Sequence, residues 1–174
     1  MSLSSDIIYP SVIYKRFRDK DESLDKMNEL NILQWFALND NYGSESYGNI
    51  LKSYKFKREP KLLNIGDANI RLAIENEIMN IYPNKDKYVL DPNTQYSGGA
   101  SNKIYHDIVK NIFGNEYDGT IIDETQLKGN NKYKIEDLEG PTEIVIWKDF
   151  TNLLEEKTNK KIENKESTKY TINK

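Results

Sequence analysis

Pro141-Thr142-Glu143-Ile144-Val145-Ile146-Trp147 is the stretch on which the reading of this chain turns. A proline opens it and a run of β-branched residues follows a carboxylate, a composition that suits a pleated, half-buried surface. It reads as the last strong strand of the chain. Glu143 at the mouth of that strand is the first candidate for chemistry, because a sheet holds a side chain rigidly.

Working outward, Asp123 to Gly140 reads as a long polar excursion. Tyr117-Asp118-Gly119-Thr120-Ile121-Ile122 reads as a turn feeding a strand. The spacing of Ile104, Ile108 and Ile112 predicts a helix from Ser101, stopped at Gly114. Asn84 to Gly99 has no period and reads as a loop able to cover a cleft. Ile70, Ile74, Ile78 and Ile81 predict a second helix from Ala68 to about Tyr82, opened by Gly66-Asp67 and ended by Pro83.

Nearer the N-terminus, Lys61 to Ile65 reads as a short buried strand. In Ile50 to Lys57, Tyr54 and Phe56 alternate with Lys55 and Lys57, the two-residue period of a strand with one wet face. Ile32 to Ala37 is a short apolar run, and Asn39-Asp40-Asn41 after it caps a short helix carrying Tyr42 and Tyr47. Ser11 to Phe17, introduced by Pro10 and closed by the charged run Arg18 to Glu22, reads as the opening strand. Strands and helices in this order give an α+β domain over residues 1–154. Residues 155–174 are too poor in apolar side chains to offset their ordering entropy and are expected to be a mobile tail.

Composition narrows the function classes. The 174 residues suit one domain. With no cysteine, disulfides, thiolate metal sites and cysteine nucleophiles are excluded. A net charge of −3 from 25 basic and 28 acidic residues gives no general pull toward nucleic acid, so no specific nucleic-acid binding is expected. Richness in Asn, Lys, Ile and Tyr fits an AT-rich coding sequence, as in a large DNA virus or an intracellular parasite. No apolar run approaches membrane-spanning length and Met1 to Asp6 lacks a signal-peptide pattern, so the expected setting is cytoplasmic, in a host cell or virion if the chain is viral.

Three segments, in order, resemble the NAD-binding core of the ADP-ribosyltransferase superfamily, most nearly its poly(ADP-ribose) polymerase branch. They are Trp35-Phe36-Ala37 with Ser44-Glu45-Ser46-Tyr47, then Tyr117-Asp118-Gly119, then Glu143-Ile144-Val145-Ile146-Trp147. The resemblance implies two small, mostly antiparallel sheets with flanking helices, NAD as substrate, and transfer of ADP-ribose to a macromolecular acceptor, most simply a protein. It implies Glu143 as the catalytic glutamate, since a carboxylate can hold ribose hydroxyls and stabilise oxocarbenium charge. Tyr47, or Tyr42, would stack on nicotinamide, Phe36, Ala37 and Ser44 would belong to the same NAD site, and Arg16 or Lys15 would meet the phosphates.

The opening strand reads Tyr14-Lys15-Arg16-Phe17 where the polymerase branch carries His-Gly, so polymer formation is not expected. The same departure motivates an alternative, a catalytically inactive domain serving as a binding or virion-associated structural protein. Hydrolysis of NAD or a related nucleotide is a third option. Several residues have plain structural readings. Trp35 and Trp147 read as core, Asp118-Gly119 as a turn, Arg16 as an edge-strand charge answering Asp6 or Asp19, and His106 as a surface residue off the isoleucine stripe. Asp123, Glu124, Glu136, Asp137 and Glu139 read as a solvated acidic excursion, and no metal site is expected.

Overall fold

A computed structural model describes residues 11–38, 48–84, 90–92, 102–123 and 142–161. In chain order the elements are β1 (Val12–Phe17), α1 (Leu24–Leu30), β2 (Gln34–Ala37), β3 (Ile50–Phe56) and β4 (Leu62–Asn64). There follow α2 (Ala68–Ile81), α3 (Lys103–Phe113), β5 (Gly119–Asp123), β6 (Thr142–Ile146), α4 (Phe150–Leu153) and β7 (Leu154–Lys161). The class is α+β.

The strands form one seven-stranded sheet in the order β4-β5-β6-β2-β1-β3-β7, where two small sheets were expected. Only β4 and β5 run parallel; the other neighbours are antiparallel. The junctions differ in extent. Among the described residues, β1 follows β3 through six register pairs and β2 follows β6 through four, but β1 meets β2 at the single pair Tyr14–Ala37. That pair joins the four strands β4-β5-β6-β2 to the three strands β1-β3-β7, and it is why one sheet forms.

Successive side chains of a strand point to opposite faces, so each strand feeds two cores. One core lies under α2 and α3 and contains Ile70, Ile74, Ile78, Ile108 and Val109 against Leu63, Ile122, Val145 and Trp147. The other lies under α1 and α4 and contains Met27, Phe150 and Leu153 against Ile13, Phe17, Phe36, Tyr54, Ile144 and Ile146. Trp147 is fully buried, with its indole N–H donated to Tyr117 O at 2.8 Å.

Helix starts follow their caps. Asp67 accepts from the Asn69 and Ile70 amides to open α2, and Asn102 accepts from the Tyr105 amide to open α3. Ser23 does the same for α1 through the Lys26 amide, a helix not anticipated from the sequence. Its signature is nevertheless there, a serine followed by apolar residues at Leu24, Met27 and Leu30.

Three expectations need correction. In α2 the expected stripe holds at Ile70, Ile74 and Ile78 and fails only at Ile81, which is exposed; in α3 Ile104 is exposed and the helix presents Tyr105, Ile108 and Val109 inward instead. His106, read as a surface residue, is fully buried beside them. The chain does not become a tail at 155, because Leu154–Lys161 pairs antiparallel with all of β3. Backbone pairing along a sheet edge needs no apolar side chains, so a polar sequence can make it. Residues 162–174 lie outside the described residues, as do the predicted helix of 39–47, most of the 84–99 loop and 124–141.

Candidate functional site

The Tyr14–Ala37 pair continues across the sheet. Ala37 is paired with Glu143 on β6, Glu143 with Ile122 on β5, and Tyr14 with Ser53 on β3. Paired residues share a face, so Ser53, Tyr14, Ala37, Glu143 and Ile122 form one row on the α2/α3 side. Neighbouring strands are spaced roughly 4.8 Å apart, which separates the Tyr14 and Glu143 backbones by about 10 Å. Three segments far apart in sequence thus meet on adjacent central strands, at the place where the sheet is held by one pair.

Glu143 is 7% exposed on an interior strand whose backbone is fixed on both sides. Arg16 points to the same face, two residues beyond Tyr14, and its guanidinium donates to Gly48 O at 3.3 Å. The expectation that Arg16 is an edge-strand charge is corrected, because β1 lies between β2 and β3; the sheet edges are β4 and β7. Gly48 sits at a φ of 138°, and a Cβ there would run into Phe17 O, so the close approach of this segment to the end of β1 requires glycine.

Lys15 and Phe36 lie on the opposite face. The two-residue period that sends Arg16 toward Glu143 sends Lys15 toward α1 and α4, so the two cannot serve one phosphate site together. Lys15 instead donates from Nζ to Trp35 O at 3.0 Å, with the ammonium 5.3 Å from the Phe36 ring centre and 5.6 Å from that of Phe17. Phe36 is buried against Tyr54, edge to face at 5.5 Å. Of the expected NAD residues, the structure pairs Glu143 with Ala37, and Arg16 shares their face two residues along β1 from the row. It does not bring Lys15 or Phe36 to them, and Tyr42, Ser44 and Tyr47 lie outside the described residues.

Two participants were missed. Tyr14 stands in the row beside Ala37, and strand alternation places it with Arg16. His106 packs edge-on to the half-buried Trp35, with ring centres 6.1 Å apart. Its Nδ1 lies 2.9 Å from the Asn102 carbonyl and must donate there, leaving Nε2 to accept from the Thr120 hydroxyl at 3.1 Å. Burial pushes the imidazole down from 6.5 to about 4, against opposing pulls from the Asn102 carbonyl and Asp107, so it is neutral. A neutral imidazole with both nitrogens engaged is a fastener between α3 and β5, not a free base.

The Tyr-Asp-Gly turn is also structural. Asp118 accepts two bonds from the Arg58 guanidinium, at 2.8 and 3.0 Å, and one from the Lys61 amide at 2.8 Å. Burial would raise this carboxyl, but those hydrogen bonds and the Arg58 and Lys148 charges outweigh it and hold the group below its ordinary value. At Gly119 a Cβ would collide with Val145 O, so β5 can approach β6 there only with glycine. Among the described residues, no group of three or more His, Asp or Glu side chains is arranged to hold a metal ion, and no helix is long and apolar enough to cross a membrane.

No family model, curated protein or solved structure matches this chain. The fold and site define an α+β domain with a mixed central sheet and a buried glutamate beside its narrowest seam.

Proposed function

We propose that this chain is a divergent ADP-ribosyltransferase-like domain that binds NAD over the Glu143 face of the β1–β2 seam and transfers ADP-ribose to a macromolecular acceptor, a protein. The observation that carries the reading is the Tyr14–Ala37–Glu143 row, which sets the opening strand, the Trp-Phe-Ala strand and the glutamate strand side by side on one face.

In this reading the nicotinamide C–N glycosidic bond breaks with its electron pair leaving on nicotinamide. The Glu143 carboxylate accepts a hydrogen bond from a ribose hydroxyl and stabilises the positive charge at the anomeric carbon. An acceptor nucleophile then bonds to that carbon and gives its proton to solvent or to Glu143. Arg16, on the same face, neutralises the diphosphate. Tyr47 follows Ala37 closely enough in sequence to supply the ring wall.

The test is nicotinamide release and label transfer from NAD, with NAD binding followed by calorimetry. Glu143→Gln should lower turnover by roughly a hundredfold or more while leaving the circular dichroism spectrum unchanged. A folded wild-type chain that neither binds NAD nor releases nicotinamide sinks the reading and returns the non-catalytic alternative, whereas a Glu143→Gln chain as active as wild type overturns the role given to Glu143.

A further inference from the structure

We propose that Lys15 is a positioning residue that works from behind the Glu143 face, as a strut across the β1–β2 seam that holds the β2 backbone at Trp35 against β1. Its activity arm rests on the NAD reading above; its stability arm rests on the geometry alone.

The seam explains why a strut is needed. Among the described residues β1 and β2 share one register pair, and on the α1/α4 side the Lys15 side chain adds a second tie, Nζ to Trp35 O at 3.0 Å. That carbonyl belongs to β2 two residues before Ala37, the residue that hydrogen-bonding register places against Glu143. The ammonium rests over one ring from each side of the seam, Phe17 of β1 and Phe36 of β2. A cation over aromatic faces is attracted to both, so the charge draws the strands together.

The surroundings make this charge costly. Directly opposite in register stands Lys52, a like charge already satisfied by Asp21 at 3.1 Å, Glu156 at 2.9 Å and Glu22 O at 3.2 Å. Of the acids at this end, Asp21 and Glu156 are taken up by Lys52, and Glu22 acts on Lys15 through space; Tyr54 on β3 contributes a ring, and α1 and α4 contribute apolar side chains. Among the described residues Lys15 makes no ion pair. An ammonium with three donors and one backbone acceptor, walled by rings, is poorly solvated, and the unbranched, uncharged side chain of methionine, one atom shorter, would sit there at lower cost. A buried charge that costs local stability is the pattern of a functional position.

Burial accordingly lowers Lys15 from 10.5 to about 8, with Glu22 pulling it back up. Between those two values the unfolded chain binds more protons than the folded one, so this group's contribution to stability rises with pH across the window. Over the same window the charged strut disappears. Stability and seam integrity therefore move in opposite directions.

The experiment compares wild type with Lys15→Met. The variant should melt about 2–4 °C higher. Its β1 and β2 amides should exchange faster than wild type at pH 7, while β5 and β6 amides are unchanged. Nicotinamide release should fall roughly tenfold in kcat with little change in KM, since misplacement and not lost binding is the defect. Wild-type kcat should decline through an apparent pKa near 8, a limb that Lys15→Met lacks. A variant that is less stable, that fails to fold, or whose seam amides exchange as in wild type overturns the strut. If neither protein releases nicotinamide but the melting and exchange results appear as expected, the strut stands and the NAD reading falls.

Discussion

Lys15 and Lys52 face each other across β1 and β3, on the same side of the sheet, and resolve the same physical problem in opposite ways. Lys52 is 3% exposed and surrounds its ammonium with two carboxylates and a carbonyl. Lys15 has one carbonyl and two aromatic rings. The difference shows which charge the fold is built around and which it tolerates. Lys52 ties the 18–23 segment and β7 to β3, so its burial is structural, whereas Lys15 ties only the seam.

The largest effect expected in this comparison follows from removing the satisfied charge. Lys52→Met leaves Asp21 and Glu156 facing each other over an apolar floor with nothing between them. Breaking a buried ion pair by deleting one partner typically costs 3–5 kcal/mol. Both acids are about a third exposed and can take up water, which puts the loss at the low end, about 3 kcal/mol. Urea unfolding measures it. The same substitution at Lys15 is expected to raise stability, so opposite signs at two register partners would sharpen the contrast, and equal signs would break it.

His106 offers a third solution, burial without charge. Its imidazole is held neutral with a folded pKa of about 4 against 6.5 unfolded. Because the folded value is the lower one, the unfolded chain binds the extra proton between them, and stability present above pH 6.5 is lost as pH falls toward 4. By pH 5 the loss from this group is about 2 kcal/mol. Chemical unfolding at pH 7 and pH 5 checks it against His106→Gln, which cannot titrate and should lack that component of the slope. An unchanged slope would mean that His106 takes up its proton as readily in the folded chain as in the unfolded one and that its bonds to Asn102 and Thr120 are misassigned.

How much of this was open to sequence reasoning depends on whether side chains or backbone did the organising. β3 was legible because period two is written in side chains, Tyr54 and Phe56 alternating with Lys55 and Lys57, and β1 and β6 were legible from their β-branched and aromatic runs. The same alternation separates Lys15 from Arg16, although only the register identifies the partners of each. β7 was illegible because its pairing to β3 uses main-chain groups that any sequence carries. The α3 face was misread because isoleucines were given priority over His106, which buries just as well once Asn102 and Thr120 satisfy both ring nitrogens. In the candidate site, motif order put Glu143 and Ala37 on two separate strands. That they are direct register partners, at the one pair joining two groups of strands, was not readable from it.

The smallest expected effect belongs to the pair with the best distance. Lys103 and Asp107 approach to 2.7 Å along α3, closer than either contact of Lys52, yet their side chains are 64% and 46% exposed. Water already solvates both charges, so the pair replaces good hydration with modest attraction and pays side-chain entropy. Lys103→Ala should cost about 0.3 kcal/mol, within the range of helical i,i+4 pairs, and the cost should vanish in 1 M salt. Lys52→Met, measured in the same salt, should keep most of its deficit, because mobile ions screen a buried triad poorly. Equal salt sensitivity in the two variants would mean that Lys52 is more hydrated than its burial indicates.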